Sequence, residues 1–229
     1  MFDKIFRRVE TKYVLDESQY QIIMNRISNY VEKDKYYYST VGNLYFDTDN
    51  NDLIIKSIEK PDFKEKLRVR CYGVPDLDSD VFFELKNKYK GIVGKRRNVM
   101  SLRDFYKFLE TGEYNSDDQI MKELVYHLNY YKAYPKIYIA YDRYSYMGRD
   151  DENFRITFDS NLRSRRDDLR LDSGSDGELY FDSPHYIMEV KALGSMPLWF
   201  TKILSEEKIY KQSFSKYGNI YMKECGVKC

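Results

Sequence analysis

The chain has 229 residues, enough for one large domain or two small ones, and we predict a single domain over residues 1–229. Its formal net charge is only +1, which excludes a uniformly basic nucleic-acid-binding protein. Three cysteines without metal-ligand spacing indicate free thiols and a cytoplasmic location. No apolar run approaches the roughly 18 residues of a membrane span, although a membrane-protein partner stays open.

The predicted elements alternate between strands and helices. In chain order they are a strand at 7–15, a helix capped by Asp16, the strand "VGNLYFDT", a short helix at about 50–57, the strand "EKLRVRCYG", a hairpin at about 80–89 and 92–100, helices capped by Ser101 and Asp117, strands at 135–146, 153–161 and 186–192, and a helix at about 197–207. Antiparallel strands with inserted helices indicate an α+β fold.

The strands share one pattern, in which an apolar face alternates with a charged one. In residues 65–73, Val69 and Cys71 alternate with Arg68 and Arg70. Across the strands, with Arg143 and Lys216 added, the basic positions are Arg8, Lys12, Lys66, Arg68, Arg70, Lys86, Lys88, Lys95, Arg97, Arg143, Arg155, Lys191 and Lys216, and the acidic ones are Glu10, Glu84, Asp159 and Glu189.

For any one strand, the ordinary explanation is a half-buried sheet with its charged face in water. Repetition over six strands argues against it, because like charges directly opposite each other on neighbouring strands repel. A closed or nearly closed antiparallel barrel with cations lining its bore explains both the excess of charge and the inserted helices. We therefore predict that the cationic faces point inward, at a ligand.

A bore lined with Arg and Lys suits a chain of phosphates, since both side chains bind phosphate oxygens. The few carboxylates can hold Mg²⁺ or Mn²⁺, and we predict Glu189 as the leading ligand, with Glu84 and Glu10 next. Phosphoryl transfer requires mostly positioning and charge neutralisation, which agrees with the lack of a convincing nucleophile and base in the sequence. We interpret the two histidines, His127 and His185, as incidental.

Seven segments in order and spacing resemble the catalytic domain of the vacuolar transporter chaperone (VTC) family, a branch of the triphosphate tunnel metalloenzymes related to CYTH proteins. They are "RVETKYVL", "KLRVRCYG", "FELKNKYKGIVGKRR", "IAYDRYSY", "FRITFDSNL", "YIMEVKALG" and "SFSKYGN", within about residues 7 to 219. The resemblance implies a closed eight-stranded antiparallel tunnel with helices packed on the outside, which binds triphosphate and a divalent metal.

The resemblance also implies roles for particular residues. It implies phosphate-binding and catalytic positions at Lys12, Arg68, Arg70, Lys86, Arg143, Arg155 and Lys216, and a metal-binding Glu189. Tyr217, next to Lys216, is expected to contact substrate, as are the remaining cations of the charged faces: Arg8, Lys66, Lys88, Lys95, Arg97 and Lys191. The VTC branch is similar to an enzyme that moves the γ-phosphate of ATP onto a growing polyphosphate chain.

One departure helps to choose among the branches. Hydrolase and cyclase branches carry Glu-x-Glu-x-Lys on the first strand, whereas this chain has Arg8-x-Glu10-x-Lys12. Loss of an acidic ligand weakens a second metal site and favours longer anions. We therefore expect a polyphosphate polymerase that uses ATP and Mn²⁺ or Mg²⁺ and binds polyphosphate, pyrophosphate or tripolyphosphate.

Three alternatives remain open at this point. The first is a tripolyphosphatase or nucleoside triphosphate hydrolase, which differs only in using water as acceptor. The second is a polyphosphate-binding module without catalysis. The third, a nucleic-acid-binding protein, is disfavoured because the cationic faces lack interleaved stacking aromatics, with Tyr72 and Tyr141 as the only candidates.

Overall fold

A computed structural model describes residues 8–90, 92–114 and 117–227. It contains nine strands: β1 (Arg8–Asp16), β2 (Val31–Asp47), β3 (Phe63–Tyr72), β4 (Asp80–Tyr89), β5 (Ile92–Ser101), β6 (Tyr134–Gly148), β7 (Arg155–Arg165), β8 (Glu178–Leu179) and β9 (His185–Leu193). Its helices are α1 (Glu17–Ile27), α2 (Asp52–Ile58), α3 (Leu102–Thr111), α4 (Gln119–Tyr131), α5 (Leu198–Glu206) and α6 (Lys216–Glu224).

Residue contacts divide the chain into two compact units. The first unit comprises the described residues up to Ser39, Tyr141–Leu162 and Phe181–Phe214. The second unit comprises Thr40–Ala140, Arg163–Tyr180 and the residues from Ser215 onward. Strands β2, β6 and β7 begin in one unit and end in the other, and the single domain over 1–229 stays a prediction.

In the first unit, β1 pairs antiparallel with β9, and β9 pairs antiparallel with β7. The apolar faces of these strands pack with α1 and α5 in one core, which includes Leu15, Ile27, Phe158, Met188 and Phe200. Asp16 ends β1 and caps α1 by accepting a hydrogen bond from the backbone N–H of Gln19, as the sequence predicts. The opposite face of the strands carries the charged residues.

In the second unit, β2, β3, β4 and β5 form a continuous antiparallel run. The apolar faces of these strands pack against α3 and α4, with Leu67, Val69, Phe83, Phe105 and Leu124 in the core. The amphipathic pattern of the sequence explains this arrangement, because a half-apolar strand and a half-apolar helix each bury one side against the other.

The predicted α+β class, antiparallel strands and helical packing are confirmed. Eight strands follow one order of hydrogen-bonded neighbours, with β1 first and β5 last, and β8 adds to β7. Closure of the barrel stays a prediction. Asp118, not the predicted Asp117, caps α4, since it accepts from the backbone N–H of Met121.

No helix within the described ranges has both the length and the apolar character needed to span a membrane.

Candidate functional site

Glu189 is the acidic centre of the polar residues on the charged face of the first unit. Its carboxylate lies 2.6 Å from Lys191 Nζ and 3.7 Å from Lys12 Nζ. Burial alone would raise the pKa of Glu189, but Lys191, Lys12 and Arg143 hold that pKa well below its ordinary value. Glu189 is therefore an anion at neutral pH, as a carboxylate ligand of a metal must be.

Arg143 on β6 and Asp159 on β7 form a buried ion pair in the same unit. Arg143 Nε donates to Asp159 Oδ1 at 2.6 Å, and its second nitrogen donates to Oδ2 at 2.8 Å. Burial lowers the pKa of Arg143, but Asp159 raises it well above the ordinary value, so the guanidinium stays charged. The two-point contact fixes the plane of the guanidinium. We call Lys12, Arg143, Asp159, Glu189 and Lys191 the Glu189 cluster.

Thr157 adds a polar atom beside Glu189, directly opposite it across β7 and β9. The Thr157 hydroxyl oxygen is buried and has no hydrogen-bond partner within the described part of the protein. Mg²⁺ and similar ions bind one or two carboxylates and take their other ligands from phosphate oxygens and water. Lys191 engages one oxygen of Glu189 at 2.6 Å, whereas the other, Oε2, lies 3.7 Å from Lys12 and is the oxygen that fits a metal ion of this kind.

Glu189, the leading predicted metal ligand, is not part of a preformed group of ligating side chains within the described residues. Within residues 8–90, 92–114 and 117–227, no three His, Cys, Asp or Glu side chains are grouped closely enough to hold a metal. Glu10 lies opposite Lys191 in the β1–β9 register and is exposed. A metal ion at Glu189 would therefore take most of its ligands from the phosphate substrate and water.

Two further predicted residues belong to the strands of the first unit. Arg155 is opposite Lys191, its side chain is 54% exposed, and its guanidinium lies 3.8 Å from Asp34. Arg8 begins β1, and its side chain lies outside the described part of the chain.

Glu84 is the acidic centre of the charged face in the second unit, and its side chain is only 1% exposed. Its Oε2 accepts from Arg68 Nε at 2.8 Å, and its Oε1 accepts from Arg97 Nε at 2.7 Å. Lys95 Nζ lies 2.6 Å from Oε1. Burial raises the pKa of Glu84, but Arg68, Arg70 and Lys95 outweigh it and hold the pKa at about 2.

Both oxygens of Glu84 are thus engaged by cations, which disfavours the predicted role of Glu84 as a metal ligand. A carboxylate surrounded by two guanidinium groups and an ammonium group repels a further cation at the same place. We interpret Glu84 as a positioning residue that holds Arg68, Lys95 and Arg97 in fixed orientations.

Lysines form rows across the neighbouring strands of the second unit. Lys66 on β3 lies directly opposite Lys86 on β4, which lies directly opposite Lys95 on β5. In the next row, Lys64 lies opposite Lys88. Burial, Lys88 and then Lys60 lower the pKa of Lys64, which is the expected effect of crowded like charges. We call these two sets the lysine rows.

Arg70 is held differently from its neighbours. Arg70 Nε donates to Asn43 Oδ1 at 3.0 Å, and Asn43 donates in turn to the backbone oxygen of Ile139 at 3.2 Å. Asn43 is fully buried, and Arg70 is 9% exposed. A buried amide thus orients this arginine without neutralising its charge.

The N-terminus of α6 lies beside the lysine rows. Lys66 Nζ lies 2.7 Å from Ser215 Oγ, and Ser215 caps α6 by accepting from the backbone N–H of Gly218. Lys216 is the first residue of this helix. Tyr217 is 3% exposed and donates to Asp47 at 3.1 Å, which disfavours the predicted contact of Tyr217 with substrate.

Several residues of these faces were not predicted from the sequence. Lys64 continues the alternation of Lys66 and Arg68, so the strand pattern itself contained that signal. The roles of Asn43, Thr157 and Ser215 depend on the pairing of distant segments. A polar residue within the apolar run of "VGNLYF" was the only local indication for Asn43.

Comparisons with solved structures agree on the fold. A candidate adenylate cyclase from Bacillus halodurans aligns with a TM-score of 0.55 at 15% identity, over 91% of this chain and 93% of that one. A candidate adenylyl cyclase from Hippeastrum, described as having a dominant triphosphatase activity, aligns with a TM-score of 0.53 at 16% identity, over 97% and 98%. At these identities the likeness shows the fold alone.

A third candidate adenylate cyclase, from Vibrio parahaemolyticus, aligns with a TM-score of 0.50 at 10% identity, over 93% of this chain and 97% of that one. No curated protein matches the chain by sequence. The sequence profile described as "VTC domain" matches residues 7–223, nearly the whole length. The chain therefore belongs to the VTC domain family.

Proposed function

We propose that this protein is a metal-dependent polyphosphate polymerase that transfers the γ-phosphate of ATP to a growing polyphosphate chain. The lysine rows are the observation that carries this proposal. Lys66, Lys86 and Lys95 lie side by side on three adjacent strands, where like charges repel, and Glu84, 2.6 Å from Lys95, offsets part of this charge. An anion that contacts all three would remove this repulsion, and a string of phosphates offers several such contacts at once.

The extent of the rows favours a long anion. Lys64 and Lys88 lie two residues along the strands from Lys66 and Lys86, a displacement of roughly 7 Å. The Glu84 carboxylate occupies the row on the other side, between Arg68 and Arg97. Successive cationic rows therefore favour a polymer over a single phosphate.

The carboxylates favour a phosphate acceptor over water. A general base works best when its pKa lies near the operating pH, but the pKa of Glu84 is held at about 2 and that of Glu189 well below its ordinary value. Both are therefore weak bases. The end of a polyphosphate chain is already an anionic nucleophile and requires no deprotonation, whereas water does.

The residues divide the remaining tasks of phosphoryl transfer. Lys12, Lys191 and Arg143 bind phosphate oxygens and offset the charge that develops on them, and Asp159 orients Arg143. When bound beside Glu189, Mg²⁺ or Mn²⁺ would supply further charge neutralisation at phosphate oxygens. Lys66, Lys86 and Lys95 retain the polymer.

The test is to incubate the purified protein with ATP and Mn²⁺ or Mg²⁺ and to resolve the products by chain length. We expect a phosphate polymer whose length grows with time. Glu189→Gln should abolish turnover, while stabilisation by tripolyphosphate persists because the lysines remain. Lys122→Gln, on an exposed position of α4, is the matched control and should be fully active.

The second candidate function is hydrolysis of tripolyphosphate or a nucleoside triphosphate. Its support is the shared fold with the Hippeastrum protein, whose described activity is that of a triphosphatase. Release of free phosphate without polymer would favour hydrolysis. If neither product forms but polyphosphate still stabilises the protein, the remaining alternative, a binding module without catalysis, is correct.

A further inference from the structure

Three aromatic rings stack at one end of the charged face of the first unit. The rings of Phe181 and His185 are parallel within 11°, with centroids 4.6 Å apart. The ring of Phe214 is parallel to that of Phe181 within 21°, at 6.1 Å. We call these three residues the aromatic platform. None of them has a role in the phosphate chemistry proposed above.

The aromatic platform adjoins the Glu189 cluster. Lys12 Nζ donates a hydrogen bond to the backbone oxygen of Phe214 at 3.2 Å, and the backbone oxygen of Lys12 accepts from Gln212 N–H at 2.8 Å. These two contacts hold the segment that carries Phe214 against β1. The ammonium group that lies near Glu189 is therefore hydrogen-bonded to the backbone of a residue that carries one of the three rings.

Strand β9 sets the distance from the platform to the phosphate chemistry. His185, Ile187 and Glu189 lie on the same face of β9. His185 and Glu189 are therefore four residues and about 13 Å apart. This separation is comparable to the length of an extended nucleoside triphosphate. Ile187 between them is 1% exposed, so its side chain is covered by the protein and holds no part of a ligand.

The imidazole of His185 is held in place. Its Nδ1 lies 3.0 Å from the backbone oxygen of Ser183. The Ser183 hydroxyl lies 3.4 Å from the same nitrogen, so Ser183 contacts Nδ1 through both its backbone and its side chain. His185 and Phe181 are partly exposed, while Phe214 is buried. The platform is thus a fixed surface with an accessible part.

We infer that the aromatic platform binds the base of a nucleoside triphosphate whose phosphates contact the Glu189 cluster. This inference rests on the proposed function. Stacking of a base on an aromatic ring adds affinity that a bare phosphate chain cannot gain. Base stacking on the aromatic platform would let the first unit distinguish the phosphoryl donor from the polymer product, which has no base.

The test compares two ligands by calorimetry: an ATP analogue with a β,γ-imido bridge, which keeps its terminal phosphoryl group, and inorganic tripolyphosphate. Phe181→Leu keeps an apolar side chain but removes the ring, and His185→Ala removes the partly exposed ring. Each should raise the Kd of the ATP analogue by about fivefold or more and leave the Kd of tripolyphosphate unchanged. Tyr36→Leu, at an exposed tyrosine of β2, is the control.

The other outcomes overturn the inference in distinguishable ways. Unchanged affinity for both ligands would mean that the rings do not touch the base. A parallel loss for both would mean that the rings only support the phosphate site. If the wild-type protein binds tripolyphosphate but not the ATP analogue, only the inference about the base is contradicted. If it binds neither ligand, the proposed function is contradicted as well.

Discussion

Arg68 and Glu84 face each other across β3 and β4, with Arg68 Nε 2.8 Å from Glu84 Oε2. Arg97 approaches the same carboxylate from β5, on the other side of β4. One buried anion therefore orients cations from both neighbouring strands. This arrangement leaves the cations charged, because the carboxylate that holds them is itself kept ionised by the same contacts.

The first prediction concerns the loss of this carboxylate. Glu84→Ala should lower the free energy of unfolding by about 1 to 3 kcal/mol, because Arg68, Lys95 and Arg97 lose the anion that offsets their charge but remain partly exposed to water. Saturating tripolyphosphate should stabilise the variant more than the wild type, since it supplies replacement negative charge. Urea unfolding with and without tripolyphosphate measures both effects.

The control for that experiment is Glu113→Ala, at an exposed residue paired with Lys107, which should leave stability unchanged. A variant at Glu84 that is as stable as this control would contradict the positioning role.

The second prediction concerns the stability of the folded protein at low pH. The pKa of Glu84 falls from 4.5 to about 2 in the folded protein. As pH decreases, the unfolded chain takes up this proton first, so the stabilising contribution is complete above about 4.5 and is lost as pH falls towards about 2. The free energy of unfolding of the wild type should decline more steeply over this window than that of Glu84→Gln. Parallel declines would contradict the prediction.

The third prediction concerns repulsion within the lysine rows. Lys86→Gln removes the middle charge between Lys66 and Lys95, so the ligand-free protein should be as stable as the wild type or more stable. Its stabilisation by tripolyphosphate should be smaller, because one phosphate contact is lost. Thermal unfolding measures both, with Lys122→Gln as the surface control. A variant that melts well below the wild type without ligand would show that Lys86 has a structural role.

The fourth prediction concerns Cys71. Cys71 is fully buried, and burial is the main cause that raises the pKa of its thiol to about 11. A thiol is reactive as the thiolate, so a variant that carries Cys225→Ser and Cys229→Ser should resist maleimide at neutral pH until urea unfolds it. Rapid labelling of the folded variant would contradict the buried position.

The sequence could predict local structure well where a single segment contained the signal. Alternation of apolar and charged residues predicted β3, and the bounds of β4 agree with the prediction at both ends. Asp16 and Ser101 were recognisable as N-caps because each has a cap side chain just before a helical pattern. Helix α6 was missed, since "SFSKYGN" carries little apolar periodicity.

Relationships between segments could not be predicted in the same way. The row formed by Lys66, Lys86 and Lys95 depends on strand register, and a shift of one residue would place each side chain on the other face. The burial of Glu84 and its ion pairs likewise result from packing between strands. The sequence showed only an acidic residue among cations, which suggested a metal ligand. The proposed role of His185 in binding a base depends on the parallel ring of Phe181, a contact that the sequence does not show.

The central claim is that the cations on these strands are arranged for a string of phosphates. The most direct measurement is the thermal unfolding midpoint with pyrophosphate, tripolyphosphate and long-chain polyphosphate at equal concentrations of chains, since a bound anion stabilises the folded state by mass action. We predict a midpoint that rises with chain length, and a larger loss of this rise in Lys86→Gln than in Lys122→Gln. Equal midpoints for the three anions would contradict the claim.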